Sequence, residues 1–211
     1  MKREVANLAL KDNGLLVVLS APAGCGKDTV LAELKKADAN IVQSISMTTR
    51  APREGENNGV DYYFTTTEDF ETKIKENEFL EYVKYGVNYY GTPKKPIEEM
   101  VDSGKNVILK IEVEGAGNVR KLYPEAISIF IMPPSFSELS RRLRNRGTET
   151  EEDITRRLKI AENEMQKASE YDYVVINDDL TTCVEDVLAI IRAERFKYVN
   201  MQNKINNIIN K

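Results

Sequence analysis

The sequence predicts an α/β fold in which a parallel sheet is flanked by helices. Short β-branched runs alternate with longer stretches of helical periodicity along most of the 211 residues, a pattern typical of parallel strands joined by helices. The first apolar run, over 15–20, leads into a glycine-containing turn and then directly into a helix. The length fits one domain with insertions better than two domains.

The core elements follow in chain order. Strands are predicted over 15–20, 41–45, 106–111, 126–132 and 173–177. Helices are predicted over 27–37, 96–103, 116–122 and from 180 onward. Gly104 can end the second helix, and Thr181 or Thr182 can cap the last one. These elements assign about 1–45, 96–134 and 170–211 to the core of a single domain spanning 1–211.

Segment 46–95 interrupts the alternation and is predicted to be a small mixed α+β insertion. Its predicted elements are strands over 61–65 and 79–85 and a helix over 68–77. Thr66 or Thr67 can cap that helix, because a hydroxyl accepts from the free backbone N–H groups of a first turn.

Segment 135–169 is the second predicted insertion, and it is helical. Its predicted elements are a helix over 137–146 capped by Ser135 and a long polar helix over 151–169. Residues 197–211 show amphipathic spacing, but their asparagines are poor helix formers.

Composition excludes several classes of function. The chain has no histidine, and its two cysteines, Cys25 and Cys183, lie far apart. This excludes histidine-dependent nucleophiles, histidine-ligated zinc and a disulfide framework. The net charge of −4 argues against a uniformly basic nucleic-acid binder. No apolar run is long enough to cross a membrane, so we expect an untargeted cytoplasmic protein without nucleic-acid or membrane partners.

The turn after the first strand has the composition of a phosphate-binding loop, or P-loop. It reads A-P-A-G-C-G-K-D-T over 21–29. Gly24 and Gly26 allow a tight turn, and successive backbone N–H groups at a helix start form an anion-binding cup. Lys27 can reach the outer phosphates of ATP or GTP. The alternative is a glycine-containing turn without a function.

The loop departs from the usual pattern G-x-x-x-x-G-K-[ST] at two positions. Ala21 replaces the first glycine, and Asp28 replaces the hydroxyl residue. Thr29, one place later, can supply a hydroxyl. A carboxylate beside a triphosphate repels it unless Mg²⁺ lies between them, so Asp28 is either a metal ligand or an obstacle to nucleotide binding. If Mg²⁺ is bound there, Asp28 and Thr29 are its predicted ligands. The predicted ATP-binding residues of the loop are Ala23, Gly24, Cys25, Gly26, Lys27, Asp28 and Thr29.

A second anion site is predicted around Arg50 and Arg53, which flank a proline. Guanidinium groups match the oxygens of a phosphate, and Tyr62 can add a hydroxyl. Alone, this segment would be interpreted as a basic surface loop. Beside a P-loop, a two-arginine phosphate clamp is the better interpretation.

These motifs together resemble the guanylate kinases. S-x-T-T-R-x-P-R-x-G-E-x-x-G-x-D-Y over 46–62 is similar to that family's monophosphate-binding segment. The similarity continues through Glu81, N-Y-Y-G-T over 88–92, R-N-R-G-T-E-T-E-E over 144–152 and I-N-D-D over 176–179. It covers about 14–192. The resemblance implies a P-loop nucleoside monophosphate kinase of purine metabolism, which transfers the γ-phosphoryl group of MgATP to GMP.

The resemblance also implies roles for individual residues. The residues matching the GMP-phosphate ligands are Arg50, Arg53, Tyr62 and Tyr90. Those matching the guanine site are Ser46, Glu81, Thr92 and Glu112, and Glu56 joins the GMP-binding set. A carboxylate at Glu81 can accept from guanine N1–H and the exocyclic amine together, and Thr92 can donate to O6. Adenine does not present that pair of donors.

Six of the twelve arginines lie between 141 and 157. By resemblance, Arg142, Arg146 and Arg157 belong to a helical lid that reaches the ATP phosphates and the transferring group. With Lys27 and Arg50 they form the predicted catalytic set. Ion pairs with neighbouring acids are the alternative for Arg141, Arg144 and Arg156. Asn177 matches a position near the adenine.

One departure from the family pattern concerns charge. After the predicted strand over 106–111, Lys110 replaces an acid and Glu114 replaces a glutamine. Lys110 and Asp28 both flank the P-loop, so they are predicted to pair. Two other functions remain open: a related kinase acting on another phosphate ester such as ribose 1,5-bisphosphate, and a non-catalytic guanylate kinase-like binding module. A homodimer is one option for the assembly.

Overall fold

The computed structural model describes residues 14–145 and 150–210. In chain order the elements are β1 (Leu16–Ser20), α1 (Lys27–Ala37), β2 (Ile41–Gln43), β3 (Met47–Thr48), β4 (Tyr63–Phe64), α2 (Thr67–Lys75), β5 (Phe79–Tyr85), β6 (Asn88–Pro93), α3 (Lys94–Asp102), β7 (Asn106–Lys110), α4 (Val113–Leu122), β8 (Ile127–Met132), α5 (Phe136–Arg144), α6 (Glu151–Met165), a 3-10 helix (Gln166–Glu170), β9 (Tyr173–Ile176), α7 (Leu180–Arg195) and α8 (Tyr198–Ile209).

The core is a five-stranded sheet with the strand order β2-β7-β1-β8-β9. Every pairing in it is parallel, which confirms the predicted α/β fold. The central strand β1 is buried along its whole length because helices cover both faces of the sheet. Val17 and Leu19 pack in the apolar cluster that includes α1 and α7, whereas Leu16 and Val18 pack in the cluster that includes α3 and α4. The turn after β1 therefore opens at the centre of the sheet's carboxyl edge.

Segment 46–95 contains a second sheet with the order β4-β3-β6-β5, in which two of the three pairings are antiparallel. Helix α2 covers this sheet with Phe70, whose ring stacks on Phe79 and Tyr89 at centroid distances of 4.2 and 5.2 Å. The sequence pattern did not predict β3 and β6, because the first has two residues and the second contains Gly91. A Cβ at Gly91 would lie 2.9 Å from the Phe70 and Phe79 rings, so packing decides that position.

Segment 135–169 forms α5 and α6, whose apolar residues join the cluster beneath the P-loop. Ser135 caps α5 by accepting from the backbone N–H of Glu138, and Thr66 caps α2 in the same way; both caps are as predicted. The N-cap predicted for α7 was wrong. The carboxylate of Asp179, rather than Thr181 or Thr182, caps this helix by accepting from the Thr182 N–H.

Both helices of segment 135–169 end earlier than predicted, and the tail forms a helix. Helix α5 ends at Arg144, and α6 gives way to the 3-10 helix at Gln166. Residues 198–209 form α8, as their amphipathic spacing suggests. Of the helices in the described part of the chain, none combines the length and apolar character needed to cross a membrane.

Candidate active site

The P-loop lies between β1 and α1 and depends on two left-handed glycines. Gly24 and Gly26 have φ angles of +92° and +81°, a region that residues with a Cβ rarely adopt. The loop is also closely packed. A Cβ on Gly24 would lie 2.9 Å from a methyl group of Leu143 on α5, and one on Gly26 would lie 2.7 Å from the Asn177 amide. Both glycines are therefore required by backbone angle and by space.

The side chain of Asn177 holds the backbone of the P-loop in place. Its Nδ2 donates to the carbonyl oxygen of Cys25 at 2.8 Å, and its side chain is buried at the carboxyl end of β9. The structure thus places Asn177 on the loop backbone as a positioning residue. Burial raises the pKa of the Cys25 thiol to about 12, so this cysteine stays protonated and unreactive at neutral pH.

Lys27 lies at the mouth of the loop among acceptors. Its Nζ is 3.4 Å from the carbonyl oxygen of Ile111 and 3.4 Å from Glu112 Oε1. The lysine side chain is mostly buried, whereas that of Glu112 is 77% exposed. Burial raises the pKa of Glu164 on α6, Glu112 raises it further, and Lys27 lowers it. The sequence does not single out Glu164, because α6 carries several carboxylates and nothing in its pattern distinguishes this one.

Lys110 and Asp28 form the predicted pair. The parallel register places Lys110, the last residue of β7, opposite Leu19 of β1. From there its Nζ reaches Asp28 Oδ1 at 2.6 Å. Thr29 follows on α1 and is exposed.

A magnesium ion would need ligands from more than these side chains. Within the described residues, no group of three or more His, Cys, Asp or Glu side chains can hold a metal alone. Asp28 and Thr29 nevertheless offer hard oxygen donors, and Mg²⁺ in such sites takes one or two carboxylates together with substrate phosphates. The residues present therefore fit Mg²⁺ bound with a nucleotide.

Arg50 and Glu56 form the best-defined ion pair of segment 46–95. Two hydrogen bonds of 2.9 Å join the guanidinium to the carboxylate, which also accepts from the Arg53 backbone N–H at 2.8 Å. The hydrogen bonds that Arg50 donates to Glu56 raise the pKa of Arg50, and Tyr90 contributes in the same direction. The Arg50 guanidinium also lies 5.4 Å from the centroid of the Tyr62 ring. The cluster brings together five predicted GMP-binding residues and shows that Glu56 positions Arg50.

Glu81 and Thr92 form a buried pair across β5 and β6. Thr92 Oγ1 donates to Glu81 Oε1 at 2.7 Å, and the two side chains are 7% and 0% exposed. Burial raises the pKa of the Glu81 carboxyl, although the Thr92 hydrogen bond opposes this. In the described chain no ion pair forms at Glu81. A buried carboxylate with one neutral donor retains capacity for further N–H donors.

The first turn of α4 connects this pair to the P-loop. A Cβ on Gly115 would lie 3.1 Å from Glu81 Oε2, and Glu112, the N-cap of the same helix, is the residue that approaches Lys27. Two predicted sites from distant parts of the sequence therefore meet at one helix end. Ser46 lies at the start of the second sheet, where its carbonyl oxygen accepts from the Tyr63 N–H.

Acids of α5 and α6 pair with the arginines of these two helices. Arg141, Arg144 and Arg156 form ion pairs with Glu138, Glu151 and Asp153, which is the alternative left open for them by the sequence. Arg142 Nε also donates to Glu138, at 2.8 Å. Hydrogen bonds from Arg141 and then Arg142 lower the pKa of Glu138 to about 2.

Two arginines complete the predicted lid set. Arg157 lies on α6 and is partly buried, and Arg146 lies outside the described residues. The sequence analysis missed Glu138, although Ser135 and Glu138 have the spacing of a capping box, and Glu138 precedes Arg142 by one helical turn.

Comparison with known proteins agrees with this geometry. The family model described as guanylate kinase matches residues 13–194. A guanylate kinase of Halalkalibacterium halodurans is 49% identical over 199 residues, covering 94% of this chain and 98% of that protein. One of Bacillus subtilis is 49% identical over 189 residues, with coverages of 89% and 93%. The crystal structure of guanylate kinase from Anaplasma phagocytophilum superposes with a TM-score of 0.72 at 37% identity, covering 91% of this chain and 92% of that one.

Proposed function

The chain belongs to the guanylate kinase family, and we propose that the site described above transfers the γ-phosphoryl group of ATP to GMP with a distinct role for each cluster. One observation carries the proposal. The first turn of α4 touches the buried Glu81 and, through Glu112, approaches the P-loop lysine. A guanine-type recognition pair and a phosphate loop thus share one helix end.

On the acceptor side, we assign the phosphate of GMP to Arg50, Arg53, Tyr62 and Tyr90. Glu56 holds the Arg50 guanidinium by two bonds before substrate arrives, so little side-chain entropy is lost when the phosphate binds. The acceptor oxygen of a phosphate is already anionic, and no general base is needed. This agrees with a chain that lacks histidine.

For the guanine base, we assign recognition to Glu81 and Thr92, with Ser46 and Glu112 nearby. Glu81 accepts from two adjacent N–H donors of guanine, and Thr92 supplies the donor for O6. AMP would leave the buried carboxylate without those donors, a mismatch that such sites reject strongly.

On the donor side, backbone N–H groups over 23–29 and the Lys27 ammonium hold the ATP phosphates. Arg142, Arg157 and Arg146 neutralise charge on the transferring group when segment 135–169 closes over it. Asn177 keeps the loop in place through Cys25. Asp28 and Thr29 would hold Mg²⁺, which supplies neutralisation of the triphosphate when it is bound. Catalysis then consists of positioning and charge stabilisation.

A substrate panel tests this assignment. Purified protein is assayed for ADP formation from MgATP with GMP, AMP or ribose 1,5-bisphosphate as acceptor. We expect turnover with GMP at least about 100-fold above that with AMP, because of the buried Glu81. Preference for the sugar phosphate would support the related-kinase alternative, and absence of turnover with all three would support a binding module.

We further propose that the protein works in the cytoplasm on free ATP and GMP, without nucleic-acid or membrane partners. A homodimer remains a prediction. Light scattering of the purified chain would measure its assembly mass against the 24.0 kDa of one copy.

A further inference from the structure

A second lysine lies at the mouth of the P-loop. Lys110 ends β7 beside β1, and its Nζ is 2.6 Å from Asp28 Oδ1. Asp28 directly follows Lys27, whose own Nζ approaches the carbonyl oxygen of Ile111, the residue after Lys110. Two ammonium groups, carried by two different elements, therefore converge on the start of α1.

The Lys110 contact can be exchanged for another. The Lys110 side chain is 31% exposed and that of Asp28 is 78% exposed, so neither group is locked in the protein interior. An ammonium on a four-carbon stem has three donors that can turn between acceptors. Phosphate oxygens arriving at the loop carry more negative charge than one solvated carboxylate and form strong charge-assisted hydrogen bonds.

The position of Asp28 strengthens the argument. It occupies the place at which P-loops carry the hydroxyl that meets the metal, so a nucleotide held by the loop would bring its phosphates close to this carboxylate. Without a counter-charge this carboxylate would repel the nucleotide. Lys110 supplies that counter-charge, because its ammonium lies 2.6 Å from the carboxylate.

We propose that Lys110 is a second phosphate-binding lysine of the donor site, which exchanges Asp28 for a phosphate oxygen of the nucleotide. It gives this chain a component of nucleotide binding that does not depend on Mg²⁺. The inference rests on the proposed function in one respect, namely that the donor nucleotide occupies the P-loop. The rival interpretation is that Lys110 only neutralises Asp28 and never touches nucleotide.

Measuring the binding of ADP to the full chain distinguishes a phosphate-binding Lys110 from one that only neutralises Asp28. Calorimetry measures its Kd with Mg²⁺ and with EDTA for the wild type, Lys110→Met, Asp28→Asn and the double variant. We expect Lys110→Met to weaken ADP binding in EDTA by about 10-fold, the size of a lost charged hydrogen bond. We expect the same loss when it is introduced into Asp28→Asn, where no carboxylate needs neutralising. An unchanged Kd in that second comparison would overturn the proposal.

A matched control removes the same charge elsewhere. Lys105 lies just before β7, at its opposite end, and donates to the carbonyl oxygen of Ala39 at 3.2 Å. Lys105→Met should leave the ADP Kd within about 2-fold, because distant exposed charges are screened. An equal loss of ADP affinity in Lys105→Met would mean that net charge alone explains the effect, and it would overturn the proposal.

Two further measurements keep the result interpretable. Thermal unfolding and GMP binding establish that each variant folds, and Lys110→Arg, which keeps the charge, should retain most of the EDTA affinity. If Lys110→Met does not fold, Lys110→Gln takes its place in both comparisons. Failure of the proposed function looks different, since the wild type itself would then lack GMP-dependent turnover or would not bind ADP with Mg²⁺.

Discussion

Arg50 on the acceptor side and Lys27 on the donor side are both paired with a glutamate, but the two pairs are built differently. Arg50 and Glu56 are only 15% and 20% exposed and are joined by two bonds of 2.9 Å. Lys27 has one contact of 3.4 Å with Glu112, which is 77% exposed. In the proposed mechanism the acceptor cation, Arg50, is therefore fixed before substrate arrives, whereas the donor cation, Lys27, would have to exchange its partners for phosphate oxygens.

This difference indicates at which cation the supporting residue matters for activity. A positioned guanidinium loses activity when its support is removed, because it then samples unproductive rotamers. A loosely held cation depends much less on its resting partner. Substitutions at each position can separate the loss of a cation from the loss of the residue that holds it.

Removing either cation should have the largest effect. Lys27→Ala and Arg50→Ala should each lower GMP-dependent ADP formation by about 10²–10³-fold, because each deletes a cationic donor to the phosphates. Steady-state kinetics measure the loss, and thermal unfolding shows that the fold survives. Arg192→Ala, an exposed arginine of α7, is the matched control. Wild-type-like rates in either variant would contradict the assigned roles.

Glu81→Gln should have the next largest effect, a loss of about 100-fold in kcat/KM for GMP, because the amide presents a donor where guanine also presents donors. The KM for ATP should change little. Glu99→Gln, at an exposed site on α3, controls for the loss of one carboxylate. A kcat/KM for GMP within a few-fold of the wild type would place guanine elsewhere.

The same variant carries a pH signature. The raised pKa of Glu81 means that the folded state binds its proton more tightly than the unfolded chain does. The stability that this group contributes is therefore present at low pH and is lost as pH rises above the ordinary value of 4.5. The Tm of Glu81→Gln minus that of the wild type should increase from about pH 4 to about pH 7, and a difference independent of pH would contradict a buried carboxylate.

Glu56→Gln removes the carboxylate that holds Arg50 while leaving the Arg50 guanidinium itself in place. Arg50 remains, but one of its two charged bonds becomes a neutral contact, so kcat/KM for GMP should fall by about 10-fold. Glu54→Gln, in the same loop and exposed, should have no effect. A loss of kcat/KM as large as in Arg50→Ala would mean that Glu56 does more than position Arg50. An unchanged kcat/KM would mean that the ion pair does not contribute to activity.

Local signals could be predicted from the sequence because their physics is local. The two left-handed glycines of the P-loop, 24 and 26, and the hydroxyl caps at Thr66 and Ser135 each depend on a few neighbouring residues. The contact between Lys110 and Asp28 could also be predicted, because adjacent parallel strands end at the same edge of a sheet. The contacts around Arg50 could be predicted only because the surrounding residues match a known family motif.

Other features depend on long-range packing and carry no such signal. Strand β6 pairs with β3 across about 40 residues, and Gly91 is there to admit aromatic rings. Glu164 interacts electrostatically with Lys27, 137 positions earlier in the chain, only because the tertiary structure packs α6 near the loop. Asn177 supports a carbonyl group 152 positions earlier in the chain. For α7, Asp179 and the threonines after it are all good caps, so composition alone does not select one.

Glu138→Gln should have the smallest effect and therefore tests the comparison most directly. Glu138 stays ionised down to acidic pH, because hydrogen bonds from Arg141 and Arg142 lower its pKa to about 2. Its ion pair with Arg142 resembles that of Glu56 with Arg50, but Arg142 Nε makes a single bond to it. Glu138 also pairs with Arg141, and one shared bond holds the Arg142 guanidinium less firmly than the two bonds that hold Arg50. The KM for ATP should therefore change by less than about 3-fold, with Glu162→Gln on the exposed side of α6 as control. If Glu138→Gln instead costs as much as Glu56→Gln, the donor arginines are as preorganised as the acceptor arginine, and the contrast between the two halves of the site disappears.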